Sequence, residues 1–357
     1  MKKSKVFVVI ILLLLSTKAP AAALPEPPVP GCQNLEAKPA KPIHLRGKIF
    51  GTYLPDGKRY NKLSEPAAPD YFEVGMLDLD RPGSPIKRLT FDAVHDAEVR
   101  VSPDGKKILW SVRPALDLFD GDNTIVMANT DMSERTVIAH GDSKYLGIPS
   151  FFKPGGEKVM FSSQGEGDKV AKLQVVDLAT MEISEFKHRF KGPISDPQMS
   201  RDGKKIAFKS QDPKDEDVVH IYVMNANGTG VKKLTKLDYR DEDPAFSPDG
   251  RTIAFERMYG MTDHKGQNPN DYFFGEGIVS VDIATGKETK LTEPDVCGKN
   301  ELWLPTWSPD GELIMFTRGL HLENGEFTHD LWVMRKNGQD LQRVPNSDGM
   351  MFIDWVN

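Results

Sequence analysis

Cysteine is almost missing from this sequence. Cys32 and Cys297 are the only two, so at most one disulfide can form. A bridge between them would close a very long loop, worth roughly 4–5 kcal/mol on a chain-entropy argument. It would tie an N-terminal arm to a late loop. An excess of positive charge is also missing. The chain has 46 Lys and Arg against 52 Asp and Glu, a net charge of −6, which removes the basic footprint expected of a nucleic-acid-binding protein. Catalytic signatures are absent too: there is no Gly-x-Ser-x-Gly elbow, no His-Glu-x-x-His and no phosphate-binding glycine loop. The pieces Gly165-Glu-Gly167 and Gly228-Thr-Gly230 fall between strands and read as turns. The eight histidines are scattered without ligand spacing inside any one element.

No apolar run reaches the ~20 residues needed to cross a bilayer. The longest, Val6 to Leu15, follows Lys2, Lys3 and Lys5 and precedes Ala19-Pro-Ala-Ala-Ala23. Positive start, short apolar stretch and small-residue site are the parts of a secretory signal. Residues 1–23 are therefore expected to be a signal peptide, with an uncleaved anchor as the alternative. A Pro-rich arm, 24–44, follows. The expected location is the periplasm or the exterior, with no membrane-spanning segment once the signal is removed.

What the sequence does have is a repeat. Five segments align without gaps: Ser102 to Trp110, Lys153 to Phe161, Ser200 to Phe208, Ser247 to Phe255 and Ser308 to Phe316. Their shared glycines, Gly105, Gly156, Gly203, Gly250 and Gly311, lie 51, 47, 47 and 61 residues apart. The consensus start, Ser-Pro-Asp-Gly, is a hairpin turn, because Pro presets φ and Gly permits positive φ. An aliphatic and an aromatic residue then stand two apart, as in Ile253 and Phe255, which puts both on one face of a strand. Val101, Phe152, Met199, Phe246 and Trp307 hold the matching apolar position before each turn. Two further strands follow in each unit. Four antiparallel strands in about fifty residues make a propeller blade.

The ends complete the count. Gly47 to Tyr53, Glu73 to Asp78 and Ile86 to Phe91 read as second, third and fourth strands without a first. Phe352 to Val356 reads as a lone strand at the other end. The expected fold is all-β: a six-bladed β-propeller of four-stranded antiparallel blades over 45–357, its ring closed by the C-terminal strand pairing with the N-terminal blade. Closure removes exposed sheet edges.

At these residues the chain resembles the TolB-type propellers, whose WD-like repeat is similar to Ser247-Pro-Asp-Gly-Arg-Thr-Ile-Ala-Phe255. The resemblance covers about 45–357. It implies a non-enzymatic binding or scaffold propeller with a protein partner in the bacterial envelope. TolB carries an α/β domain before its propeller, where this chain has the arm 24–44. The same repeat occurs in propellers of prolyl-oligopeptidase-type enzymes, which have a separate catalytic domain.

In such a fold the loops from fourth to first strands, and from second to third, share the face opposite the Ser-Pro-Asp-Gly turns. That face is expected to be acidic. It holds Asp117, Asp120 and Asp122, then Asp212, Asp215, Glu216 and Asp217, and a long insertion, Met258 to Gly277. His95-Asp96, Ser195-Asp196 and Asp241-Glu242-Asp243 come just before first strands, Asp354 lies in the closing strand, and Trp303 stands beside Glu301. Such acids read in two ways. They are a solvated surface whose aspartates fix turns, or they are a binding rim at the channel mouth made by His95, Asp96, Asp196, Glu242, Asp243, Trp303 and Asp354. A rim of this kind favours a cationic partner segment or a hard cation such as Ca²⁺; no other cofactor is expected. A reading from another class makes Asp196 and Asp243 the acid and base of a polysaccharide lyase or glycosidase.

Overall fold

The computed structural model describes residues 41–55, 60–61, 71–113, 123–141, 144–152, 156–165, 168, 170–259, 275–294, 300–322 and 326–357. The signal, most of the arm, Cys32, Cys297, the acids at 117–122 and the body of the 258–277 insertion lie outside them.

The turn chemistry builds the hairpins as the repeat predicts. In the fifth unit, Ser247 Oγ donates to Asp249 Oδ1 at 2.6 Å and accepts from Thr252 N at 3.0 Å, while Gly250 N donates to Ser247 O at 2.8 Å. The same contacts recur at Ser102, Ser200 and Ser308. Gly250 takes φ +67°, the left-handed conformation that a side chain disfavours.

All described elements of any length are strands, and no α-helix occurs among the described residues. Met350–Val356 pairs antiparallel with Lys48–Tyr53, which pairs with Glu73–Asp78, which pairs with Lys87–Arg88. A second sheet runs His95–Val101, Lys107–Arg113, Thr124–Asn129, Thr136–His140. The third runs Ser150–Phe152, Lys158–Gly165, Lys172–Asp177, Glu182–Glu185, with Lys144–Leu146 added to its second strand. An eight-stranded sheet is two four-strand units. One comprises Ser195–Met199, Lys205–Asp212, Asp215–Asn225 and Lys232–Lys233; the other Arg240–Phe246, Thr252–Met258, Glu276–Asp282 and Glu288–Lys290. A single parallel bridge, Val219 to Arg240, joins them. The last sheet runs Asn300–Trp307, Leu313–His321, Glu326–Arg335, Gln342–Arg343, with Tyr60–Asn61 alongside Glu326–Arg335. Among the described residues no sheet closes on itself.

Both faces of every unit are buried against a neighbour. The aliphatic–aromatic pairs Ile108 and Trp110, Ile206 and Phe208, Ile253 and Phe255, and Ile314 and Phe316 are fully buried. Each apolar cluster lies between successive units: Val74 of the first packs near Trp110 of the second, and Ala254 of the fifth near Phe316 of the sixth. Two clusters join the last unit to the first; one brings Met315 and Val333 against Ile49, Ile353 and Trp355, the other Trp303 and Phe327 against Leu54 and Phe72. Full burial of one such side chain is worth about 1.5–3 kcal/mol, so these interfaces hold the units together. The first strands pack side by side in chain order, and Met350–Val356 touches both Asn300–Trp307 and His95–Val101.

Candidate functional site

The first strands carry a repeated irregularity. Their pairing register slips between Ala97 and Arg100, Ser195 and Gln198, Glu242 and Ala245, and Trp303 and Thr306, with a similar slip opposite Met350–Val356. A residue with positive φ sits at each slip: Glu98 (59°), Asp196 (49°), Asp243 (51°), Leu304 (54°) and Phe352 (49°). These are β-bulges, which re-aim a side chain. Four of them lie four residues before the turn serine, at 102, 200, 247 and 308. In three strands the next residue is proline, Pro197, Pro244 and Pro305, which has no N–H to pair.

The bulges bring acids together inside the molecule. Asp196, Glu242 and Asp243 are buried around the Lys209 ammonium, itself buried. Lys209 forms ion pairs with Asp196 and, at 2.7 Å, with Glu242 Oε2. Arg240 Nε meets Glu242 Oε1 at 2.5 Å. Burial opposes each charge, with different outcomes. Surrounded by three carboxylates, Lys209 is held above its ordinary pKa despite burial. Lys209 and Arg240 together overcome burial at Glu242 and hold it below the usual carboxylate range. Asp243 has only through-space help from Lys209 and Arg100, and burial with the neighbouring Asp196 and Glu242 pushes it up to about 7. Burial also raises Asp196. Glu256 stands well above its ordinary value, through burial and the nearby Glu276, Asp243 and Glu242. Glu98 makes its own contacts, accepting from Ser111 Oγ at 2.7 Å and Arg113 Nη2 at 2.5 Å.

Asp196, Asp243 and Asp354 line one small chamber of about 60 Å³, together with Arg100, Pro244 and Pro305. It shares Arg100, Gln198, Ala245, Thr306 and Asp354 with a vestibule of about 420 Å³. The vestibule is bordered by the turns at Pro103, Pro248 and Pro309 and by Phe151, Trp307 and Trp355. It therefore opens among the Ser-Pro-Asp-Gly turns, and Asp196 and Asp243 sit deeper, at the bulges four residues back from the turn serines.

The remaining predicted residues divide. Asp354 borders both cavities, and its Oδ2 accepts from Val101 N at 2.8 Å. Glu242 stands behind the chamber, on Lys209. Asp96 lines neither cavity; it is 1% exposed, with neither carboxyl oxygen hydrogen-bonded, and burial pushes it up to about 7. His95 Nδ1 accepts from Phe72 N at 3.3 Å, and burial beside Arg113 lowers its pKa to about 4, so the ring is neutral. Trp303 is 8% exposed and stacks on Phe327 at 6.2 Å within an apolar cluster with Leu304 and Phe352. Sequence reasoning missed Glu98, Arg100, Lys209 and Glu256. Among the described residues no three His, Cys, Asp or Glu are placed to hold one metal ion.

Among solved structures, the chain is similar to TolB from Acinetobacter baumannii, at 20% identity and TM-score 0.63, over 88% of this chain and 67% of that one. The fold is that of a TolB-like β-propeller. This propeller is also similar to the hydrazine synthase of Kuenenia stuttgartiensis (15% identity, TM-score 0.59, 88% of this chain and 48% of that one). An oligogalacturonate lyase in complex with manganese matches at 17% identity and TM-score 0.50, over 84% and 85% of the two chains. No family model matches the chain. Among curated proteins, an uncharacterized peptidase, YuxL, of Bacillus subtilis is 32% identical over 163 residues, which is 44% of this chain and 22% of that protein. The match thus spans about a fifth of that relative's length.

Proposed function

We propose that this chain is an exported, six-bladed binding scaffold, its ring closed by Met350–Val356, which holds a protein partner of the bacterial envelope over the turn face of its channel. The observation that carries the reading is the vestibule. Its roughly 420 Å³ is in the range of ligand pockets, and every unit's first strand contributes to its wall. Six blades and closure are supported by the apolar clusters between the last and first units and by the side-by-side first strands. Export is supported by the signal-like residues 1–23. The test is capture of partners from envelope extract on the purified protein, with and without Ca²⁺. Variants Arg100→Gln and Asp354→Asn alter the vestibule; Ile183→Ser, on an exposed outer strand, is the control. A protein retained by the parent and the control but lost by both vestibule variants is expected. Retention unchanged in both would refute the reading.

One observation favours a second reading, a carbohydrate-active enzyme of polysaccharide lyase or glycosidase type. Asp243, at about 7, lies in one chamber with Asp196, and such a carboxyl titrates where a general acid or base operates. Incubation with oligogalacturonate, with and without Mn²⁺, tests it. Chain shortening abolished by Asp243→Asn would establish it, and intact substrate in both conditions would remove it for that polymer.

A further inference from the structure

We propose that the chamber beneath the vestibule receives the primary ammonium of a lysine side chain, presented by the protein partner from the turn face. The inference rests on the scaffold reading and names the chemistry by which that partner is recognised. Three carboxylates, Asp196, Asp243 and Asp354, line the chamber against one guanidinium, Arg100. Asp196 is 2% exposed, and its Oδ1 has no hydrogen-bond partner although its other oxygen meets Lys209. A buried acceptor left in that state is costly, and a donor arriving in the chamber relieves it. Pro244 and Pro305 in the wall bring carbonyl oxygens and no N–H.

Arg100 does not fill this role itself. Its Nη1 donates to Val99 O at 2.8 Å. With the Gln198 carboxamide oriented so that its oxygen faces Arg100, that oxygen accepts from Nε at 3.1 Å and from Nη2 at 3.3 Å. The guanidinium is thereby held to the wall. Size selects among cations. The chamber, at about 60 Å³, is far smaller than the vestibule of about 420 Å³, which suits a compact group with three rotatable donors. The vestibule above supplies apolar surface, from Phe151, Met199 and Trp307, for the alkyl stem of such a side chain.

Proton linkage follows from the same geometry. Asp243 faces Lys209, Asp196, Glu242, Arg100 and Glu256, with Asp354 across the chamber. It titrates at about 7, and an arriving ammonium favours its ionised form, so binding releases protons and weakens as pH falls through 7.

The experiment is calorimetric titration of the purified protein at pH 8 and pH 6 with the capped peptide acetyl-Gly-Lys-Gly-amide. Its Nε-acetylated counterpart and n-butylammonium are the comparison ligands. The lysine peptide is expected to bind, with heats that vary with buffer ionisation. Acetylation should weaken it about ten-fold or more, the loss of one charged hydrogen bond. Binding should be weaker at pH 6, and Asp243→Asn and Asp354→Asn should each weaken it similarly. Asn mimics the protonated Asp243, so that variant is expected to fold; if it does not, Asp354→Asn carries the comparison. Equal binding of the acetylated peptide, or no lysine-peptide heat at millimolar concentration, overturns the inference. Butylammonium binding as tightly as the peptide overturns the assignment to a protein lysine. If the peptides fail while vestibule variants still lose the captured partner, the ammonium inference falls and the scaffold stands. If capture ignores the vestibule, the scaffold itself falls.

Discussion

Replacing Asp96 by asparagine should make this protein more stable, and increasingly so as pH rises. Asp96 is 1% exposed, and neither carboxyl oxygen accepts a hydrogen bond. Thr90 Oγ1, beside it, donates to Glu73 Oε2 at 2.7 Å. Burial therefore pushes the pKa from 3.8 to about 7, with Glu73 adding to the rise and the Arg135 charge pulling back. A raised folded pKa means that the native state holds its proton more tightly than the unfolded chain. The stability this contributes is complete below about pH 4 and is lost as pH climbs through 7. A shift of about three units corresponds to about 4 kcal/mol, as an order of magnitude. Asparagine has the same shape and never ionises, so it escapes that loss. Urea unfolding at pH 4 and pH 8 measures it. The two proteins should be nearly equal at pH 4, with the variant ahead by roughly 2–4 kcal/mol at pH 8 and an unchanged denaturant slope. A variant less stable at pH 8, or a difference independent of pH, would refute the reasoning. Partner capture should not change, because Asp96 borders neither cavity.

Lys209→Met removes the only ion pair that Asp196 makes among the described residues, while Glu242 keeps Arg240. A buried charge left alone costs about 3–5 kcal/mol, and a loss below about 1 kcal/mol in urea at pH 7 would show that Lys209 does not hold this cluster. Ser247→Ala deletes the hydroxyl that bridges Asp249 and Thr252 N; thermal unfolding should register a loss of about 1 kcal/mol. Gly47→Ala places a methyl group at φ +88° against the Val356 carbonyl. It should cost at least about 2 kcal/mol through strain and a broken Lys48–Val356 pairing, read as faster proteolysis of the C-terminal strand.

Much of the fold was legible because its signals are local. A turn that needs Pro, Asp and Gly in order, followed by an aliphatic and an aromatic residue two apart, fixes a hairpin and its buried face wherever it occurs. The strand Glu73–Asp78 has the predicted bounds. The strand expected over 86–91 shrinks to Lys87–Arg88, because an outer strand has a partner on one side only. Phe91, counted within it, is 70% exposed. Apolar residues there need not mean pairing.

The site was legible only in part, and the reason is register. Grouping Asp96 with Asp196 and Asp243 counts forward from where each first strand begins, yet those beginnings differ between units. Counting back from the turn serine is the physical frame, since the bulge sits at a fixed distance from the hairpin. Four residues before Ser102, Ser200, Ser247 and Ser308 stand Glu98, Asp196, Asp243 and Leu304. The prolines after Asp196, Asp243 and Leu304 mark the same place in the sequence. Lys209 had no such marker. Its position, just past the apolar pair, is held elsewhere by Ser111, Ser162, Glu256 and Thr317, all buried. In a strand with one wet face, alternation would have read that lysine as solvent-facing. Here both faces of the strand are covered, so period two says nothing about exposure. Only the acids at the neighbouring bulges give a buried ammonium its reason to be there.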